Sequence, residues 1–459
     1  MAPLVTFYFQ VHQPYRLRDL RISDIGQGEP DYFDAEKNRA IFRKVAEKCY
    51  LPANRLMLEL VQQYPEFQIA YSLSGVFLDQ CREYGEDVLE SFRQLAHTGK
   101  VEFLAETYYH SLSSLKSVEE FALQVRKHVQ TIQELFGQTP QVFRNTELIY
   151  RNELAHIARL MGFRGIIAEG ADHLLRGRSP NDLFVPPQFR LPRSIETAVR
   201  KIRPLSRRAQ DIHILLKNYR LSDDVAFRFS DKSWVGFPLH ADTFTDWLTG
   251  SGGHTVNLFM DYETFGEHQW ADTGIFDFLR ALPRVWQERG IKAATPSQTI
   301  EAWEHEHTHE YDVHSFISWA DSERDLSAWQ GNRIQSAAID AVYALERQVK
   351  ETGNPLLLDI WRRLQTSDHF YYMSTKYWSD GDVHKYFSPY DSPYEAYRRY
   401  SHALCDLKQR VAAAADATEE RTAVSSQPSA RLKVSRLQKQ HLHKPAADHS
   451  KLKASPRKS

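Results

Sequence analysis

Cysteine is scarce in this chain. Its 459 residues include three, Cys49, Cys81 and Cys405. An odd, widely spread set with no Cys-x-x-Cys pair excludes a disulfide framework and a paired-thiol site, and it fits a reducing compartment. Long apolar runs are also missing. No stretch approaches the roughly 18 uncharged apolar residues of a membrane-spanning helix. Charge of either sign is not in excess: the net value is −1, so the whole chain exerts no pull on nucleic acid or an anionic membrane. There is no Gly-rich phosphate loop, no Gly-x-Ser-x-Gly elbow and no internal repeat. No basic region or small-residue cleavage site precedes the strand pattern of Met1 to Phe9. A cytoplasmic protein is expected.

What is present is a large apolar inventory. Apolar residues make up 42% and aromatics 12%, ample for a buried core. Apolar, β-branched or aromatic runs fall at Leu4–Phe9, Phe67–Leu73, Val101–Leu104, Gln141–Phe143, Gly165–Ala168, Ile212–Leu216, Val256–Met260 and Ile291–Ala294. Amphipathic helical stretches lie between most of them. Ser117-Val118-Glu119-Glu120 has the form of a capping box. Repeated β-α units imply parallel strands, and seven or eight suggest a closed or nearly closed barrel over residues 1–300. From 301 to about 415 helical patterns take over: Asn332–Glu351, Pro355–Thr366 and Ser392–Ala414. Residues 416–459 read as a disordered tail. From Arg421 onward this tail has ten Lys or Arg against one acid, Asp448, so it is +9 while the preceding 420 residues are −10. A contact with nucleic acid or an acidic partner is expected of the tail alone, if of any part.

Polar residues gather after the strands. His12-Gln13-Pro14 follows the first run, and Glu106, Tyr108, Tyr109 and His110 follow the third. Arg144-Asn145-Thr146-Glu147 follows the fourth, Glu169 the fifth and Asp261-Tyr262-Glu263 the seventh. In an α/β barrel this rim carries the chemistry. Paired carboxylates across a pocket suit glycosidic bond cleavage: one donates a proton to the leaving oxygen, and the other attacks the sugar carbon or activates water. Aromatic faces suit sugar rings. Spacing does not choose the reacting acids, since Asp261 and Glu263 share one side of a strand.

Five stretches in order resemble glycoside hydrolase family 57, its α-amylase-type members in particular. They are Phe9-Gln10-Val11-His12-Gln13-Pro14, Leu104-Ala105-Glu106-Thr107-Tyr108-Tyr109-His110, Phe143-Arg144-Asn145-Thr146-Glu147-Leu148, Phe259-Met260-Asp261-Tyr262-Glu263-Thr264-Phe265-Gly266 and Ser318-Trp319-Ala320-Asp321-Ser322-Glu323-Arg324-Asp325. The run Asp380 to Tyr390 looks like the family's helical region. The resemblance implies an incomplete, TIM-like (β/α)7 barrel followed by a helical domain that completes the cleft. It implies retaining cleavage of α-1,4-glucans or maltooligosaccharides, with no metal and no organic cofactor. By position, Glu147 is the nucleophile and Asp261 the general acid/base. His12, Gln13, Glu106, His110, Trp319 and Asp321 are expected to contact substrate. One departure stands out: Gln10 occupies a position where many members have a second His.

Alternatives remain. A 4-α-glucanotransferase or branching enzyme would use the same intermediate. A non-catalytic glucan-binding protein would lack turnover. A metal-dependent hydrolase could draw on His12, His110 and His268. The run Glu304-His305-Glu306-His307-Thr308-His309, with His314, is read as a solvated connection rather than a metal site.

Overall fold

All eight apolar runs become strands in the computed structural model, which describes residues 3–202, 211–306, 308–376 and 388–426. They are β1 (Leu4–Val11), β2 (Ile69–Leu73), β3 (Val101–Phe103), β4 (Val142–Arg144), β5 (Gly165–Glu169), β7 (His213–Lys217), β8 (Thr255–Asp261) and β9 (Lys292–Ala293). Two further two-residue strands, β6 (Phe184–Val185) and β10 (His309–Glu310), are too short for the sequence pattern to reveal.

Seven parallel strands form the barrel wall, as two sheets. One runs β3-β2-β1-β8, with β9 beside the start of β1; the other runs β10-β6-β7-β5-β4. The sheets meet at two seams. Between β3 and β4 there is one parallel bridge, Ala105 to Phe143. Between β7 and β8 there is no ladder among the described residues. Instead Asn218 N–H donates to Asn257 O at 2.9 Å, Asn257 Nδ2 donates to Leu216 O at 2.9 Å and Phe259 N–H donates to Ser222 Oγ at 3.2 Å. The barrel is therefore incomplete, as expected.

Strand alternation explains the interior. Tyr8, Ala70, Leu104, Val142, Ile167, Leu215 and Phe259, from seven successive walls, form one apolar cluster with Leu148, Leu183 and Ile300. Their outward neighbours pack against the surrounding helices: Phe7, Phe9, Leu258 and Met260 on one side, Ile166, Ala168, Ile214 and Leu216 on the other. Two residues beyond the interior layer, on the same face, stand Gln10, Ser72, Arg144, Glu169, Lys217 and Asp261. The barrel is thus apolar inside and polar at its C-terminal mouth.

A separate apolar core joins the helices after 325 to Leu17, Leu20 and Tyr32. Asn354 caps the helix Pro355–Arg363 by accepting from Leu356 and Leu357 N–H. The helix expected over Asn332–Glu351 is two, Arg333–Tyr343 and Glu346–Glu351, because Leu345 N–H turns back to Val342 O, three residues away. Ser117 caps Val118–Phe136, but the capping box is only half formed: Glu120 instead receives Gln124 Nε2 and Arg362 Nε. The final helix spans Pro393–Ser426. Residues up to Ala415 form one contact unit and those from Asp416 another. Most of the tail, and the Asp380–Phe387 part of the last motif, lie outside the described residues. No described helix is long and apolar enough to cross a membrane.

Candidate active site

A cavity of about 500 Å³ opens at the polar mouth. It is lined by His12, Gln13, His110, Glu147, Asp261, Trp319 and Asp321, seven of the eight residues expected at the site. The eighth, Glu106, is fully buried and does not line the cavity. It lies behind His110, in the polar layer with Ser72 and Gln10, whose side chains donate to it.

Glu147 sits on a short turn after β4, with a left-handed backbone (φ 56°). Leu148 follows at φ 50°, and His110, Asp321 and Arg324 are also left-handed at φ 48°, 53° and 54°. Five of the six non-glycine residues of this kind among those described therefore belong to the mouth or adjoin it. Such geometry disfavours L-residues and persists where the surroundings fix it. Here the fixing contacts are visible. Trp319 N–H donates to Glu147 O at 3.2 Å, and Trp319 Nε1 donates to Glu147 Oε2 at 2.8 Å. His110 Nε2 lies 3.1 Å from Glu147 Oε1, and Ser367 Oγ approaches the same oxygen at 3.4 Å. Burial pushes the Glu147 carboxyl up, but the His110 hydrogen bond and charge, with Arg144, hold it below the usual carboxylate range.

Asp261 ends β8. Among the described residues no side chain donates a hydrogen bond to it. Burial and the nearby Glu147 charge push its pKa up to about 6, against Arg144, Lys217 and His110. Glu263 lines the same cavity, receives the Tyr50 hydroxyl and is pushed up to about 8 by burial and by Asp261. Gly266 closes this segment at φ 118°, and a Cβ there would meet Lys48 O at 2.0 Å, so the turn requires glycine.

The two histidines lie face to face. The His12 and His110 rings stack at 3.9 Å, 17° apart. His12 reaches Ser74 Oγ at 2.7 Å and Asp368 Oδ2 at 2.9 Å. Burial, then the His110 charge, lower its pKa. His110 Nδ1 meets Glu106 Oε2 at 2.9 Å. Gln13 donates to Tyr50 and accepts from Arg16, and Asp321 pairs with Lys376 at 3.2 Å.

Several lining residues were given no role from the sequence. Lys217 and Arg144 approach the Trp319 ring at 5.3 and 5.1 Å. Arg144 is fully buried, and its guanidinium nitrogens have no hydrogen-bond partner among the described residues; its nearest carboxylate oxygen, on Glu106, is 3.9 Å away. Lys217 and Arg324 are balanced by Glu169 and Asp223. Asp368, on the helix Ser367–Tyr371, brings the C-terminal helices into the site.

His12, His110 and Asp368 present ligand atoms within 4.8 Å of one another. Each also makes a hydrogen bond within the site. His268 lines the cavity outside this grouping. Of the later histidine run, His305 is 92% exposed and His314 pairs with Asp312, while His307 lies outside the described residues.

The profile of Glycosyl hydrolase family 57 matches residues 6–314. A Methanocaldococcus jannaschii protein, provisionally named an α-amylase, is 42% identical over 89% of this chain and 85% of its own length. A 4-α-glucanotransferase of Thermococcus kodakarensis is 25% identical over 32% of this chain, which is only 22% of that protein. Among solved structures, a family 57 branching enzyme from Thermococcus kodakaraensis superposes with a TM-score of 0.60 at 14% identity, covering 92% of this chain and 94% of that one. An α-amylase from Thermotoga maritima gives 0.55 at 13%, covering 90% and 94%. This chain belongs to glycosyl hydrolase family 57.

Proposed function

We propose that, as a member of that family, the protein cleaves α-1,4-glucosidic bonds of an α-glucan or maltooligosaccharide by double displacement, with Glu147 as nucleophile and Asp261 as general acid/base. The observation that carries this reading is the opposite treatment of two carboxyls lining one cavity. Glu147 is held ionised by the donors His110 and Trp319, while Asp261 is kept protonable by burial and by the charge of Glu147. In the first step a Glu147 oxygen bonds to the anomeric carbon. The glycosidic C–O bond breaks as Asp261 gives its proton to the leaving oxygen. Loss of the Glu147 charge then lowers the Asp261 pKa, which suits it to take a proton from the incoming hydroxyl. Trp319, Tyr371 and Tyr372 line the cavity and offer faces for sugar rings. The reading carries no metal and no organic cofactor. The three thiols, all free, support a cytoplasmic setting.

Maltoheptaose and amylose incubated with wild type and with Glu147→Gln test this. New reducing ends with shorter α-configured products, lost in the variant, are expected. Redistributed lengths without new reducing ends would make the enzyme a transferase, and new α-1,6 linkages a branching enzyme. No change in either would leave a binding protein.

A further inference from the structure

Glu106 is a buried carboxylate that the proposed reaction does not use. Its Oε1 receives Ser72 Oγ at 2.6 Å and Gln10 Nε2 at 3.2 Å. The Gln10 amide is oriented by the Tyr8 hydroxyl, which donates to Gln10 Oε1 at 2.9 Å. With two donors on Oε1, the remaining oxygen, Oε2, faces His110 Nδ1 at 2.9 Å. The other nitrogen of that ring faces Glu147 Oε1 at 3.1 Å. A neutral imidazole has one N–H and satisfies one carboxylate; only the imidazolium satisfies both.

The remaining neighbours are His12 and Arg144. The ring stacked on His110 is His12, whose Nε2 donates to Asp368 and whose Nδ1 can accept from Ser74, so His12 is satisfied as a neutral ring. Arg144, the nearest fixed cation, keeps 3.9 Å from Glu106 and leaves that carboxylate to His110. Resting on Glu147 as the nucleophile, we infer that Glu106 is a positioning residue, which holds His110 as an imidazolium and through it sets the charge of Glu147. Burial and the Arg144 charge oppose the charge on His110, but its bonds to Glu106 and Glu147 lift its pKa to about 9.

The chain acts in both steps without passing a proton to the sugar. In the first it keeps Glu147 ionised. In the second the bond from the anomeric carbon to Glu147 breaks, and its electron pair returns to the carboxylate. Asp261 takes the proton of the attacking hydroxyl. The fixed positive charge beside Glu147 stabilises the returning negative charge.

The test uses the full-length protein labelled with ¹⁵N-histidine, with His110 signals assigned by their loss in His110→Gln. Wild type is expected to show both His110 nitrogens protonated at pH 7. In Glu106→Gln the ring becomes neutral, and the acid limb of kcat/KM on an aryl maltooligoside moves up by about 1–3 pH units. The bell then narrows, and kcat falls more than KM changes. Glu106→Asp, which keeps the charge, restores the imidazolium and returns the acid limb towards wild type. A neutral His110 in wild type at pH 7, or an unmoved acid limb in Glu106→Gln, overturns the inference. Should Glu106→Gln not fold, the wild-type spectrum and Glu106→Asp decide it. The proposed function fails separately, if Glu147→Gln retains turnover while wild-type His110 is an imidazolium.

Discussion

Glu147 and Asp261 come from different sheets of the barrel and meet different surroundings. The β4-β5-β7 sheet delivers Glu147 to a donor-rich corner, with the Trp319 indole, the His110 ring and the Ser367 hydroxyl on its oxygens. The β3-β2-β1-β8 sheet delivers Asp261 to a place where, among the described residues, no side chain donates to it. Both acids are part-buried, so burial alone cannot separate them. The count of donors does: the same cavity holds one carboxyl ionised and its counterpart protonable.

The most severe way to break this contrast is Glu147→Gln, which removes the charge while keeping the shape. Turnover of amylose is expected to fall by about 10⁴-fold or more, measured by reducing-end release. Asp261→Asn is expected to cost about 10²–10⁴-fold on natural glucans, and far less on aryl glycosides whose leaving group needs no proton. Comparing the two substrates checks it. Trp319→Phe keeps a ring but removes one donor to Glu147. A loss of about 10–10²-fold in kcat/KM is expected, on the scale of a hydrogen bond to a charged group, with the acid limb moving to higher pH. The mildest perturbation is Lys217→Met. The lysine lowers the Asp261 pKa, so its removal raises it further above about 6. The descending limb of the kcat/KM profile should move to higher pH, by less than about one unit.

Those predictions depend on residues that the sequence revealed unevenly. Each apolar run became a strand because alternation and flanking helical patterns agreed there. Motif position brought out Glu147 and Asp261 with His12 and Trp319. Lys217 and Arg144 were within reach too: each stands two residues after an inward apolar side chain, Leu215 and Val142. That parity acquires meaning only once the strand frame is fixed. Glu106 was harder. It stands two residues after the inward Leu104, so its side followed from parity, but its full burial did not, because Ser72, Gln10 and His110 close over it only in the fold. Asp368 carried no signal at all. It lies 356 residues from the His12 it contacts, in a Thr-Ser-Asp run that reads as an ordinary helix start.

The seams give the barrel a mechanical character. Glu147 and Asp261 belong to different sheets, and those sheets are stitched by one bridge at β3–β4 and by Asn257, Asn218 and Ser222 at β7–β8. The separation of Glu147 from Asp261 is thus a dimension across the joint rather than within either sheet.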